Sequence, residues 1–383
     1  MVYTARLRKA VGQVRATLES LGLGRQSADF ARHGEHETAA DAPLVLVACS
    51  GGRDSMALAA VAATVCASLG LRCGAVIVDH GLQSGSDTVA ADAAERCRAL
   101  RLDPVVVRRV QVVHDGRGTE SAARDARYAA VCKVARETGA AVVLLAHTRD
   151  DQAETVLLGL LRSAGVDALA GMPGEFERDG VRFARPLLDL SRADTTGICE
   201  DLGLTWWDDP TNGDVAAGED IAGVDIAGGD MPGEAADAAA DAARALPLRS
   251  RVRHELIPFM EMFAGGDVVT HLARGSRLVR LDKDYLDMQA DRAMAAARLD
   301  PQGDLLRLDV RALEHEHPAI RLRALAHALA GAGVAASSAQ IDAIDRLIVH
   351  WHGQGPVNLP SGCSAFRRKH VIRVCQDSHH ANR

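Results

Sequence analysis

No two of the eight cysteines (Cys49, Cys66, Cys73, Cys97, Cys132, Cys199, Cys363 and Cys375) form a CxxC pair, and most lie inside apolar runs. Zinc and iron–sulfur sites need clustered ligands, so the sequence predicts buried, reduced thiols and no structural metal. There is also no apolar run of the roughly 18–20 residues that span a bilayer. Arg6, Arg8, Lys9 and Arg15 interrupt the first twenty residues, which excludes the apolar core of a secretory signal. The expectation is a cytoplasmic protein with no membrane partner. Between residues 213 and 243 there is neither Lys nor Arg, against eight acids: Asp214, Glu219, Asp220, Asp225, Asp230, Glu234, Asp237 and Asp241. Without that stretch the net charge of −7 becomes about +1. The remaining positive charge is clustered, which keeps a polyanionic partner open.

What is present is ordinary for a folded chain: 383 residues, 48% hydrophobic and 25% charged. That length favours two or more domains. Leu7, Val11, Val14, Leu18 and Leu21 have helical spacing and predict a helix over 3–21, followed by a polar stretch to about Asp41. A regular alternation then begins. Strands are predicted over 43–48, 73–79, 104–110 and 140–146, and helices over 54–69, 87–100 (with Ser84 or Ser86 as cap), 119–138 and 150–162. Continuous apolar strands alternating with helices mean βαβ units and an α/β fold, a parallel sheet with helices on both faces. Such sheets bind ligands beyond the carboxyl ends of their strands. Residues 213–245 read as an acidic low-complexity insertion. Helical patterns cover 246–298, with further helices near 311–329 and 337–350 and strand-like runs at 356–359 and 371–374. The chain therefore divides into an N-terminal helix and linker (1–42), a catalytic α/β domain (43–212), the insertion (213–245), a helical region (246–300) and a small α+β domain (301–383).

The first strand runs into Ser50-Gly51-Gly52-Arg53-Asp54-Ser55, which opens a helix. Glycines let the backbone approach a ligand closely, and a helix start offers free N–H groups and a positive dipole end. The pattern fits an anion site shaped for phosphate. It is not the GxxxxGK[ST] loop, because an acid stands where the lysine would be. Asp54 beside phosphate makes sense with a bridging metal ion, and the plainer alternative is a helix capped by Asp54. At a later strand end, His147-Thr148-Arg149-Asp150-Asp151-Gln152-Ala153-Glu154-Thr155 crowds His147, Asp150, Asp151 and Glu154 together. These groups suit Mg²⁺ or an amine, or simply match a helix dipole. Glu120, Arg124 and Arg127 share one helix face, where the arginines either hold phosphate oxygens or pair with Glu120. Asp79-His80-Gly81-Leu82 ends the second strand, with His80 a nucleotide contact or a cap.

The loop 50–55 resembles the SGGxDS signature of the PP-loop ATP pyrophosphatase superfamily. With Val78-Asp79-His80-Gly81-Leu82, the Arg124/Arg127/Tyr128 set, the segment 146–155, Gly171-Met172 and Arg185-Pro186-Leu187-Leu188, the likeness narrows to the tRNA(Ile)-lysidine synthases. Trp207-Asp208-Asp209-Pro210-Thr211-Asn212 and the basic helix 248–258 resemble two further family elements. The resemblance covers roughly 43–265 well and the tail weakly. His147-Thr148 stands where the family often has two histidines, the insertion separates elements that are usually closer, and the chain resembles the shorter class.

The resemblance implies a Rossmann-like PP-loop fold and a ligase. ATP activates the C2 oxygen of cytidine at the wobble position of tRNA(Ile) bearing a CAU anticodon, releasing pyrophosphate. Free L-lysine then displaces AMP, and codon reading changes from AUG to AUA. It implies ATP contacts from Ser50, Gly51, Gly52, Arg53, Asp54, Ser55 and His80, with Mg²⁺. It implies catalytic roles for Asp54, Arg124, Arg127, His147 and Asp151, and lysine or metal contacts from Asp150, Asp151 and Glu154. Arg249, Arg251, Arg253, Arg367, Arg368 and Lys369 are candidates for tRNA phosphates, against the alternative of a solvated helix face and a basic strand. Trp206, Trp207 and Trp351 are read as core residues before base-stacking ones. A homodimer is left open. The rivals are tRNA thiolation, which commonly uses paired cysteines, amidotransferase-type synthetases sharing SGGxDS, and a tRNA-binding module without catalysis.

Overall fold

The computed structural model describes residues 3–32, 36–81, 85–110, 119–163, 165–208 and 247–376, with backbone alone for 119–121. The expectations for Leu82, Ser84, the Glu120 side chain, residues 209–212 and the insertion lie outside the described residues. Contacts divide the chain into two compact units, Met1–Arg277 and Leu278–Arg383.

In the first unit, strands β1 (Leu44–Ala48), β2 (Arg72–Asp79), β3 (Val105–Arg109) and β4 (Ala140–Leu144) alternate with helices α2 (Arg53–Leu69), α3 (Ser86–Ala99), α4 (Thr119–Thr138) and α5 (Arg149–Arg162). These bounds lie within two residues of those the periodicity predicts. A hairpin, β5 (Glu175–Arg178) and β6 (Val181–Ala184), and helix α7 (Arg192–Asp201) follow the one-turn helix α6 (Val166–Leu169). The sheet order is β3-β2-β1-β4-β6-β5. All neighbours are parallel except β5–β6.

The pleat sends alternate residues to opposite faces. Val45 and Val47 pack with Leu58 and Val61 of α2, Leu7, Val14 and Leu18 of α1 (Ala5–Ser20), and Ile198 of α7. Leu44 and Leu46 pack with Tyr128 and Val131 of α4 and with Phe183. Strands buried on both faces explain why they read as continuous apolar runs. The α1 helix is held to α7 by a bidentate Arg6–Asp201 pair, with contacts of 2.6 and 2.8 Å. Gly197 makes room for it: a Cβ there would meet Arg6 Nη1 at 2.1 Å.

Beyond residue 246 the unit continues with helix Leu248–Arg251, a π-helical turn Val252–Leu256 and helix Ile257–Ala264. Val252 and Ile257 are buried against Leu157 of α5. The unit boundary falls within the helix Val268–Ala297.

The second unit holds an antiparallel sheet, order β7-β10-β9-β8, built from Leu306–Asp309, Val371–Gln376, Cys363–Arg368 and Val357–Leu359. Leu308 packs with Leu325, Leu347, Ile372 and Val374 in one core. The helix expected over 311–329 is two: Val310–Leu313, then Pro318–Gly331. Pro318 lacks an N–H and starts a helix well but cannot continue one. The next helix, Ser338–Val349, opens on a capping box of Ser337 and Gln340. Among the described residues no helix is long and apolar enough to cross a membrane. All eight cysteines are free thiols and six of them are buried.

Candidate active site

The chain leaves β1 toward β2 on one side, and β4 lies on the other. The carboxyl ends of β1 and β4 are thus the point where strand order reverses and a crevice opens. Two of the predicted motifs emerge there.

After β1, Gly51 adopts φ +80°, and a Cβ on it would come 2.9 Å from the Cβ of Ala93. Conformation and space both require glycine. Gly52 caps α2 without a side-chain cap hydrogen bond, at a helix start whose first N–H groups have no carbonyl of the helix to bond. The serine hydroxyls shape the loop. Ser55 Oγ donates to the Gly52 carbonyl at 2.8 Å and accepts from Ser50 N at 3.2 Å. Trp207 N donates to the Gly51 carbonyl at 2.9 Å, which brings the segment before residue 209 against the loop. Asp54 is half-buried and accepts a short hydrogen bond from Thr195 Oγ1 of α7. Burial pushes its carboxyl above the usual range, and neighbouring Asp151 adds to the shift.

After β4, Thr148 and Asp151 form a capping box. Asp151 Oδ2 accepts from Thr148 N at 2.8 Å, and Oδ1 lies 3.2 Å from Arg249 Nη2 and 3.6 Å from Arg192 Nη2. Although burial opposes it, these cations, His147 and the cap hold the Asp151 carboxyl down at about 2. Glu154 has no exposed surface. Its oxygens accept from Arg249 Nε (2.7 Å), Arg253 Nε (2.7 Å) and Arg192 Nη2 (3.2 Å). Asp150 accepts from the backbone N of Arg192 at 2.8 Å and so joins α5 to the start of α7. His147 Nδ1 accepts from Arg185 Nε at 3.1 Å, and burial pushes its pKa down to about 3. It is neutral at physiological pH and carries its proton on Nε2. Arg185 also donates to the Pro173 carbonyl and lies 4.3 Å over the Phe176 ring.

The third motif is assembled across β2 and α4. Arg127 Nε donates to His80 Nε2 at 3.1 Å, and burial together with Arg127 lowers the His80 pKa. Arg124 lies 5.8 Å over the Tyr128 ring and contributes to the field that lowers His147. The candidates of the loop, of α4 and of α5 therefore converge on one edge of the sheet.

The basic candidates divide differently. Arg249 and Arg253 are taken up by Asp151 and Glu154, whereas Arg251 points elsewhere, with Glu255 3.5 Å away. Arg367 donates to the carbonyls of Leu347, Ile348 and Lys369 and lies 5.5 Å over the Trp351 ring. Arg368 and Lys369 are exposed at the β9–β10 turn. Trp206 packs against the main core and donates to Asp208. Sequence reasoning missed Arg192 and Thr195. The signal for them was local: Ser191 and Asp194 form a capping box, which fixes Arg192 and Thr195 on the first turn of α7.

Among the described residues, no group of three or more His, Cys, Asp or Glu side chains is placed to hold a metal ion. Asp54, in the first turn of α2 beside the glycine loop, is a carboxylate that could hold an ion brought by nucleotide phosphates.

A glycine loop between a parallel strand and an uncapped helix, with an acid in its first turn, defines a PP-loop nucleotide-using protein. A family profile described as "PP-loop domain" matches residues 26–217, and one described as "TilS substrate binding domain" matches 308–373. The tRNA(Ile)-lysidine synthase of Bifidobacterium longum subsp. infantis is 58% identical over the whole of both chains. That of Streptomyces coelicolor is 45% identical, covering 85% of this chain and 84% of its own. Among solved structures, a U34-tRNA thiolase from Methanococcus maripaludis has a TM-score of 0.43 at 14% identity, over 70% of this chain and 78% of that one. The chain belongs to the tRNA(Ile)-lysidine synthase family.

Proposed function

We propose that this enzyme joins free L-lysine to C2 of the wobble cytidine of tRNA(Ile) with a CAU anticodon, consuming ATP. The observation that carries the proposal is the convergence of the uncapped glycine loop with the Asp151 and Arg124/Arg127 groups at one sheet edge. In the first step the cytosine C2 oxygen attacks the α-phosphate of ATP and pyrophosphate leaves. The N–H groups at the start of α2 bind phosphate oxygens, and Asp54 meets the Mg²⁺ that accompanies them. Arg124 and Arg127 are the cations for the charge that develops at the α-phosphate. In the second step the lysine ε-amine attacks C2, AMP leaves with the C2 oxygen, and the amine loses a proton.

A lysine amine has a reference pKa of about 10.4 and arrives protonated. Asp151, held at about 2, is a weak base but a permanent negative charge, suited to orienting an ammonium group. Asp54, shifted upward by burial, is the better proton acceptor of the two. Glu154 is enclosed by three arginines and its contribution is to hold them in place. Neutral His147 offers its Nε2–H as a hydrogen-bond donor beside Asp151 without adding charge.

The cytoplasm, where ATP, free lysine and tRNA coexist, is the setting this reaction requires. The homodimer reading has one supporting observation, an exposed apolar stripe of Leu278, Leu281, Tyr285 and Met288 at helical spacing. The test of the activity is incubation with ATP, radiolabelled lysine and unmodified tRNA(Ile) carrying CAU. Label in the RNA with equimolar AMP is the expected result. AMP and pyrophosphate release with label excluded from RNA would remove lysine ligation from the proposal.

A further inference from the structure

The arginines that the sequence offered for tRNA phosphates are partly spent on carboxylates, since Arg249 and Arg253 both bind Glu154. Unspent positive charge lies elsewhere in the same unit. A cleft of about 340 Å³ between α1, the start of α5 and the helix Val268–Ala297 is lined by Lys9, Arg149, Arg274 and Arg277, with Thr270 and the acid Asp189. Thr270, Arg274 and Arg277 stand at i, i+4 and i+7, so one helix face supplies them.

Among the described residues, Arg274 and Arg277 are exposed and have no side-chain hydrogen bond or ion pair, and Arg149 Nε is buried without a hydrogen-bond partner. Lys9 Nζ donates to the backbone carbonyl of Asp189 at 2.7 Å, which fixes its position and leaves its charge unneutralised. Asp267 accepts from the N–H and hydroxyl of Thr270 and lies in the field of Arg149, so four cations face two acids, Asp189 and Asp267, and the excess positive charge favours an anion. Arg149 is also the first residue of α5, directly before Asp150 and Asp151, so the cleft adjoins the reacting end of the sheet.

We infer that this cleft is a binding site for phosphate groups, and that its occupant is the sugar–phosphate backbone of the RNA substrate beside the reacting nucleotide. The phosphates of ATP have their own place at the glycine loop. The cleft is open, which suits a polymer passing over it, and its cations lie on rigid helices. Here Arg274 and Arg277 position RNA and take no part in the chemistry. The inference rests on the proposed activity for the identity of its ligand.

The test is the double substitution Arg274→Gln with Arg277→Gln in the full chain, measured by tRNA binding across sodium chloride concentrations without ATP or lysine. The expected result is a slope of log K on log salt flatter by between about 1.4 and 1.8, for two contacts at about 0.7 to 0.9 each. The loss should be equal for cognate and non-cognate tRNA. KM for tRNA should rise several-fold, with kcat and KM for ATP unchanged. Product inhibition by pyrophosphate is measured in parallel. If that inhibition weakens while the tRNA slope is unaltered, the site takes free pyrophosphate and the RNA assignment is overturned. An unchanged salt slope and unchanged inhibition overturn the site altogether. Because binding is read without turnover, failure of lysine transfer by the unsubstituted enzyme would count against the activity and leave the cleft standing.

Discussion

At the scale of single residues, the site depends on groups whose charge is set by their surroundings. Thr195 reaches the loop through Asp54, whose carboxyl it hydrogen-bonds from α7. Thr195→Val removes that donor and leaves a half-buried acid without it. The expected outcome is a loss in kcat of roughly tenfold or more, near the cost of one charge-assisted hydrogen bond, with KM for lysine little changed. A quench-flow measurement of pyrophosphate release checks this, and unaltered adenylation would show that Asp54 needs no orienting. Asp151→Asn should slow the lysine step more than adenylation, so that adenylated tRNA accumulates in a quenched reaction.

His147 and Asp151 also set a dependence on pH. The His147 pKa is lowered to about 3, below its reference of about 6.5, so the unfolded chain binds the extra proton between those values. Stability from this residue is present above about pH 6.5 and is lost as pH falls toward 3. Asp151, held at about 2, acts with the same sign in a lower window, from about pH 4 downward. His147→Gln should therefore remove up to about 1.4 kcal/mol per pH unit from the acid slope of the first unit's stability. Urea unfolding at pH 5 and pH 7 measures it, and an unchanged difference between the two would mean that His147 is protonated in the folded state.

At the scale of elements, legibility followed burial. The βαβ alternation was readable because β1, β2 and β4 are covered on both faces and so are continuous apolar runs. The β5–β6 hairpin was not, because Glu175-Phe176-Glu177-Arg178 is four residues of edge strand with two acids and a base. The loop 50–55 was legible as chemistry because its geometry is local. The Glu154 cluster was not: Arg192, Arg249 and Arg253 lie 38, 95 and 99 positions away, and no spacing rule connects them. This cluster ties the basic helix to α5 and α7. Glu154→Gln would leave three arginines around an uncharged amide, and breaking such a buried arrangement costs on the order of 3–5 kcal/mol. Differential scanning calorimetry should show a clear drop in Tm. Arg249→Gln should likewise lower Tm and leave the salt slope of tRNA binding as it was, the opposite signature to the cleft substitutions.

At the scale of the whole molecule, the net charge of −7 conceals where positive charge is available. Composition located the acids of 213–243 but could not say which arginines elsewhere were already engaged. The fold decides that, by turning Arg249 and Arg253 inward while Arg274 and Arg277 have no partner among the described residues. The two-unit division also means that one Tm need not describe the chain. Unfolding followed at the aromatic residues of the first unit and at Trp351 of the second should resolve two transitions, and strict coincidence of the two would show that the units unfold as one.

The π turn at Val252–Leu256 has a consequence for the permissible length of the chain. Val252 and Ile257, five positions apart, are buried against the same neighbour, Leu157. Five residues complete about one turn of a π-helix, whereas in an α-helix each residue advances about 100° and the fifth would point well away. The segment is thus one residue out of phase with a plain α-helix, and both of its ends are anchored: Arg249 and Arg253 on Glu154, Ile257 in the apolar cluster. Exchange of an exposed side chain such as His254 preserves that phase, but its removal does not. A chain lacking residue 254 could regain regular α-helical hydrogen bonding and keep its circular dichroism. It would then have to rotate either the arginines or Ile257 by about 100°. In this stretch the count of residues is under tighter constraint than their identity.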